Sequence, residues 1–242
     1  MKVVLLCGGR GILLDGQESP VPKALIPVEG SPILYTIMKH FSFYGITEFI
    51  LCVDSKGKMI QEYLKDVTRP EKERNNISKW DITVLDTVDD ARTGARLFGA
   101  KGLVGDSDFI VSYSDVIADV NVSQLLQFHK AQGLNLTMTG VHPTTPLGII
   151  THKDGKVLDF NVEARSESTI KGGYFVCRPG VFDYLSESPD CAFEGEPLKN
   201  MINDGQVALF DHTGFWKHFE SSKDLDELRR LTKDDNPSWK IQ

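Results

Sequence analysis

Short apolar runs and polar punctuation alternate along this chain. "KVVLLC", residues 2–7, is a continuous apolar run rich in β-branched side chains, the pattern of a strand buried on both faces. In "SPILYTIMKHFSFYG", Ile33, Ile37 and Phe41 recur at helical spacing beside Leu34 and Met38, giving a helix with one apolar face. Ser31 is its expected N-cap, Pro32 suits the first turn and Gly45 the stop. "TEFILCV" follows as a strand and "KGKMIQEYLKD" as a polar helix. The alternation continues with "DITVLDT" (strand), "TGARLFGAKGLV" (helix), "DFIVSYSD" (strand), "NVSQLLQFHKAQG" (a capped helix ending at Gly133) and "LNLTMTGVH" (strand). Strands alternating with helices predict the α/β class, a doubly wound, mostly parallel Rossmann-like sheet with right-handed crossovers.

Beyond about residue 146 the texture changes. "LGIITHKDGKVLDFNVE" has the form of a hairpin with "KDGK" at its turn. "STIKGGYFVCRPG" reads as a strand, "EGEPLKNMINDG" as a short helix, and "QVALFDH", "GFWKHFE" and a polar helix from "SSKDLDELRRLTK" complete the pattern. No linker or shift in composition divides the chain, so residues 1–242 are read as a single domain with a mixed α+β C-terminal half. The formal net charge of −7 argues against broad nucleic-acid or anionic-membrane binding and leaves room for one local basic pocket. Cys7, Cys52 and Cys177 stand inside apolar runs and, with Cys191, show no metal-like spacing, so they are expected as small buried hydrophobes. The first apolar run is too short for a signal-peptide core, and none reaches membrane-span length. A cytoplasmic protein with reduced thiols is expected.

The candidate chemistry begins at the first strand's end. Gly8, Gly9 and Gly11 can let backbone N–H groups approach phosphate oxygens with no Cβ between; a turn that needs positive φ explains a glycine cluster equally well. The dinucleotide fingerprint fails because Leu14 stands where its third glycine belongs, and because Pro20 and Pro22 bar an immediate helix. A Walker loop fails for want of Gly-Lys-Ser/Thr. The six histidines show no zinc spacing.

What remains, a strand, a glycine-started loop and "PKALIPVEGSPI", resembles the sugar-phosphate nucleotidyltransferases, most closely the glucose-1-phosphate cytidylyltransferases. That family opens with G-G-x-G-T-R-L and a P-K-P-M-V-x-I-G-G-K-P-I-like segment. The resemblance continues in order through "ITVLDT", "TGARL", "YSDVIAD", "FHKAQG", "GGYFVCRP", "EPLKNM" and "GFWKHFE", and so covers nearly the whole chain. It implies a sheet of the nucleotidyltransferase type, a nucleotide-binding half at 1–145 and an acceptor-binding half at 146–242. It also implies transfer of a nucleotidyl group from a nucleoside triphosphate, CTP by analogy, to a phosphorylated small molecule with release of pyrophosphate. Lys23 takes the place of the phosphate-bridging lysine and, with Arg10, is the catalytic candidate. Leu6, Gly8, Gly9, Arg10, Gly11, Lys23, Thr93, Gly94 and Ser114 are the nucleotide-binding candidates, Thr93 and Gly94 facing the base; a helix N-cap at Thr93 is compatible with that. Asp115 and Glu220 are the implied Mg²⁺ ligands, oxygen donors of the kind Mg²⁺ prefers. Glu163, Arg165, Lys171 and Gly173 are the acceptor candidates. Family members commonly form homo-oligomers.

The chain departs from the family pattern in two places. Ile12 and Leu13 replace the loop's threonine and arginine, and Arg10 is the candidate to restore a positive charge. In "FNVEARSE" the family's Glu-Lys-Pro keeps Glu163 but has Ala164 for lysine, with Arg165 next; Lys171 stands where cytidylyltransferases commonly carry asparagine. Cations buried without partners are costly, so an acceptor other than glucose 1-phosphate, bearing a second anionic group, is one expectation; drift on a solvated edge is the other. The rival from another class is a catalytically retired homologue acting as a regulatory or partner subunit. Retention of Lys23 and Asp115 favours an active enzyme.

Overall fold

Why the apolar runs form a two-faced sheet is visible in the first of them. Strand β1 (Lys2–Leu6) sends Val3 and Leu5 into one core and Val4 and Leu6 into another, as side chains that alternate across a strand must. The first core lies under helix Ile33–Phe43, with Ile33, Leu34, Ile37, Met38 and Phe41 all buried. The second lies under helix Thr93–Gly99 and the 179–184 turn, with Leu97, Phe109, Phe175 and Phe182. The computed structural model describes residues 1–9, 13–14, 17–28, 30–66, 71–143, 149–161 and 168–231.

Six further strands join β1: β2 (Glu48–Val53), β3 (Asp81–Asp86), β4 (Phe109–Tyr113), β5 (Leu136–Val141), β6 (Ile170–Cys177) and β7 (Val207–His212). Their order across the seven-stranded sheet is β3-β2-β1-β4-β6-β5-β7. All run parallel except β6, which lies antiparallel to both β4 and β5. The doubly wound, mostly parallel expectation holds, and the later part of the chain supplies the one reversed strand. That reversal matters for the site, because the N-terminal residues of β6 arrive at the edge where β1 and β4 end. Outside the main sheet, Trp216–His218 pairs antiparallel with Val116–Ala118. Ile149–Lys153 and Lys156–Asn161 form the expected hairpin, with Asp154 and Gly155 at positive φ in its turn.

Local details differ from the sequence reading. Ser31 does not cap the helix. It pairs with Val28 in a two-residue ribbon and hydrogen-bonds the carboxylate of Glu73, and Pro32 takes the cap position. Segment 93–104 breaks at Ala100 into two short helices. Arg92, not Thr93, is the N-cap of the first, because the Thr93 hydroxyl is engaged elsewhere. Helix Glu71–Ile77 was not anticipated. Cys7, Cys52 and Cys177 are buried as expected, and burial pushes their thiol pKa values up. Among the described residues, no helix is long and apolar enough to cross a membrane.

Candidate functional site

The carboxyl edge of a parallel sheet is where α/β proteins bind ligands, and a cavity of about 560 Å³ opens there. On one side it begins where β1 ends. The Cys7 N–H donates to the Cys52 carbonyl at 2.8 Å, carrying the ladder one residue further, and Gly8 and Gly9 follow. A Cβ on Gly8 would collide with the guanidinium of Arg96. Arg96 is buried and fully engaged: Nε donates to the Ala91 carbonyl at 2.8 Å, Nη1 to the Thr87 hydroxyl at 2.6 Å, and Nη2 to the Asp89 carbonyl at 2.8 Å. Only a glycine lets the loop lie on that planar cation. Gly9 has φ +133°, and its N–H donates to the Asp54 carboxylate at 2.7 Å.

Asp115, two residues past β4, lines the cavity. Its Oδ2 lies 3.2 Å from Lys23 Nζ and 3.4 Å from His218 Nε2. Lys23 opens a single 3₁₀ turn, Lys23–Leu25, that follows Pro22, so its backbone is fixed on both sides. His218 is brought in by the Trp216–His218 ribbon, in register opposite Val116, and the Phe219 N–H donates to the Asp115 carbonyl at 3.1 Å. Burial opposes ionisation of Asp115, but hydrogen bonding and charge from His218 and then Lys23 outweigh it, holding its carboxyl below the ordinary carboxylate value. The residue is therefore a committed carboxylate near neutral pH.

The far wall is β6. Lys171 Nζ is 3.2 Å from Glu194 Oε1 and 5.0 Å from the Tyr113 ring centroid. Gly173, at φ +80°, lies against Tyr113, whose ring would stand 2.9 Å from an added Cβ. Trp216 Nε1 donates to the Gly172 carbonyl at 2.7 Å, joining the ribbon to β6.

The structure thus brings Leu6, Gly8, Gly9, Lys23, Thr93, Ser114, Asp115, Lys171 and Gly173 to one cavity. Ser114 spends its hydroxyl on the Leu6 carbonyl at 3.1 Å, tying the ends of β4 and β1 together. Gly94 is not among the residues that line the cavity; a Cβ added there would stand 2.7 Å from Cys191 Sγ and 2.8 Å from the Cys191 carbonyl oxygen, so its absence makes room for that segment. Glu220 is exposed, two residues past His218, with its N–H donating to the Asp224 carboxylate at 3.0 Å. Arg10, Gly11, Glu163 and Arg165 lie outside the described residues. Sequence reasoning missed Arg96, Glu194 and His218. Arg96 sat within the quoted "TGARL", where the glycine drew attention instead. Glu194 stands just before "EPLKNM" and His218 within "GFWKHFE", and neither carries a local signal of the partner it meets.

A mostly parallel sheet with one reversed strand thus holds a glycine loop and a lysine–aspartate pair at its carboxyl edge, and the sequence that builds it matches a known family, the nucleotidyl transferases. The chain belongs to that family, whose model matches residues 2–232. At full length it is 36% identical to a probable glucose-1-phosphate cytidylyltransferase of Bacillus subtilis (strain 168), covering 100% of each chain. It is 33% identical to the glucose-1-phosphate cytidylyltransferase of Salmonella typhimurium, covering 99% of each. Among solved structures, a putative glucose-1-phosphate thymidylyltransferase from Bacillus anthracis in complex with a sucrose superimposes with a TM-score of 0.74. The match spans 97% of this chain and 96% of that one at 17% identity, a likeness of fold.

Proposed function

We propose that the chain is a Mg²⁺-dependent cytidylyltransferase that joins CMP from CTP to a sugar phosphate and releases pyrophosphate. The observation that carries this reading is the Lys23–Asp115 pair at the mouth of the glycine loop; the names of the full-length relatives support the base and the acceptor class. An oxygen of the acceptor phosphate attacks the α-phosphorus of CTP, a new P–O bond forms, and the bond to the β-phosphate oxygen breaks with its electron pair leaving on pyrophosphate. Catalysis of this kind rests on placing two polyanions together and neutralising them. Lys23 screens donor and acceptor phosphates, the backbone at Gly8 and Gly9 approaches the triphosphate, and Lys171 meets the acceptor from β6.

Asp115 suits a hard divalent cation: it is ionised, faces the cavity and comes from the same edge as the phosphate loop. Glu220 is the second carboxylate candidate. No group of three or more His, Cys, Asp or Glu side chains among the described residues is placed to hold a metal. Mg²⁺ needs few protein ligands, since it keeps waters and takes substrate phosphate oxygens. A divalent cation held there by Asp115, with Glu220 as the second candidate, would supply positive charge to the reacting phosphates. A second anionic group on the acceptor is not needed to account for Lys171, because Glu194 already neutralises it. Glucose 1-phosphate therefore heads the acceptor series.

The test is pyrophosphate release with CTP, UTP, ATP, GTP or dTTP, against sugar 1-phosphates and polyol phosphates, with Mg²⁺ and then with excess EDTA. CTP with a sugar 1-phosphate should turn over, and EDTA should abolish it. Silence across the series with CTP still bound would favour a catalytically retired homologue, against which the retained Lys23 and Asp115 now count.

A further inference from the structure

Between the two halves of the cavity stands a carboxylate to which the reaction as described gives no role. Glu194 lies in a segment docked tightly against the start of helix Thr93–Gly99. The Arg92 N–H donates to the Pro189 carbonyl at 2.8 Å, the Ala95 N–H to the Cys191 carbonyl at 3.0 Å, and the Phe193 N–H to the Thr93 hydroxyl at 3.0 Å. From this fixed base the Glu194 side chain reaches into the cavity. Its Oε2 accepts from the Thr93 hydroxyl at 2.6 Å, and its Oε1 accepts from Lys171 Nζ at 3.2 Å. The helix that Thr93 begins also carries Arg96, on which Gly8 rests. One carboxylate therefore links the cation on β6 to the element that supports the phosphate loop.

We propose that Glu194 is a positioning residue of the transfer reaction, holding Lys171 for the acceptor and Thr93 for the nucleotide. This rests on the cytidylyltransferase reading above. The Lys171 side chain is 49% exposed and that of Glu194 22%. An ion pair this open contributes little to stability, whereas a long, flexible lysine gains a defined place from it. The Tyr113 ring beneath the ammonium adds a second restraint.

Three variants separate the two contacts: E194Q keeps an acceptor for the Thr93 hydroxyl and loses the charge that holds Lys171, E194A loses both, and K171M removes the partner. With CTP, glucose 1-phosphate and Mg²⁺, E194Q should raise the acceptor KM about tenfold, the scale of one charged hydrogen bond, and leave the nucleotide KM within about twofold. E194A should raise both. K171M should match E194Q on the acceptor, and the double variant should add nothing further. An E194Q enzyme with both KM values unchanged overturns the proposal, as does independent multiplication of the two effects. A fall in acceptor KM overturns it too, since Glu194 would then compete for Lys171 rather than place it. A second measurement needs no turnover: acylation of Lys171 by acetic anhydride, read by peptide mass spectrometry, should rise several-fold in E194Q, because the carboxylate that favours the unreactive ammonium is gone. An unchanged rate sinks the positioning role. A wild-type protein that never turns over, with that rise still seen in E194Q, would sink the cytidylyltransferase reading alone.

Discussion

Asp115 draws Lys23 and His218 to a single oxygen, and the site's chemistry follows from that convergence. A cation held by a carboxylate is poised, and incoming phosphates offer it a richer set of acceptors than one aspartate does. Lys23→Ala should lower kcat by roughly 10²–10³-fold, the cost of deleting one preorganised charge-stabilising group. Its thermal midpoint should fall only modestly, because His218 Nε2, 3.4 Å from the same oxygen, still faces the Asp115 carboxylate when the lysine is gone. Steady-state kinetics beside a melting curve checks both, and a variant with full kcat would remove Lys23 from the mechanism. At this scale the sequence disclosed part of the site. Lys23, Asp115 and Gly8 lie in motifs whose local form announces them. His218 and Glu194 could not be found that way, because each is made functional by a partner about a hundred residues off, His218 by Asp115 and Glu194 by Thr93. Their own neighbours in sequence say nothing of those meetings.

Among the elements, buried parallel strands were the most legible, because "VVLLC" or "FILCV" has no alternative use for so many apolar side chains. Helix Glu71–Ile77, "EKERNNI", carries no apolar stripe to betray it. Ser31 has the chemistry of a cap, yet the ribbon with Pro27–Val28 claims its backbone and Glu73 its hydroxyl, tertiary contacts overriding a local preference. The reversal of β6 was equally hidden: a strand's direction is set by the path of the chain around it, and "YFVC" reads alike both ways. Gly8 lies directly against Arg96 of helix Thr93–Gly99, with no room for a Cβ between them. Gly8→Ala should destabilise the protein by about 1–3 kcal/mol, as overpacking does, and raise the nucleotide KM, because the loop must lift off Arg96. Urea denaturation and a nucleotide titration test this together. Wild-type behaviour in both would mean that the guanidinium moves aside without cost.

The whole molecule answers to pH through side chains far from the chemistry. His40, on helix Ile33–Phe43, is buried with Nε2 3.0 Å from the Val120 carbonyl. Burial disfavours its charged form and holds its pKa down at about 4, against an ordinary 6.5. His129 is shifted in the same direction, again first by burial. The unfolded chain therefore takes up these protons before the native one does. The His40 contribution is complete above pH 6.5 and is lost as pH falls toward 4, up to ~3 kcal/mol; that of His129 is lost in the same direction. The urea midpoint should drop between pH 7 and pH 4.5 in wild type and drop less in His40→Gln. Equal drops would acquit His40.

The cavity is walled by residues from nearly the full span of the chain, from Leu6 to His218. Gly8, Gly9, Lys23, Thr93, Ser114 and Asp115 are already present in a nascent chain that has reached β5. Such a chain still lacks β6 to fill the place between β4 and β5, and the Trp216–His218 ribbon to close on Val116–Ala118. Translation must therefore pass both before any substrate has a site to enter, and substrate binding reports that the last strands have been threaded into the sheet.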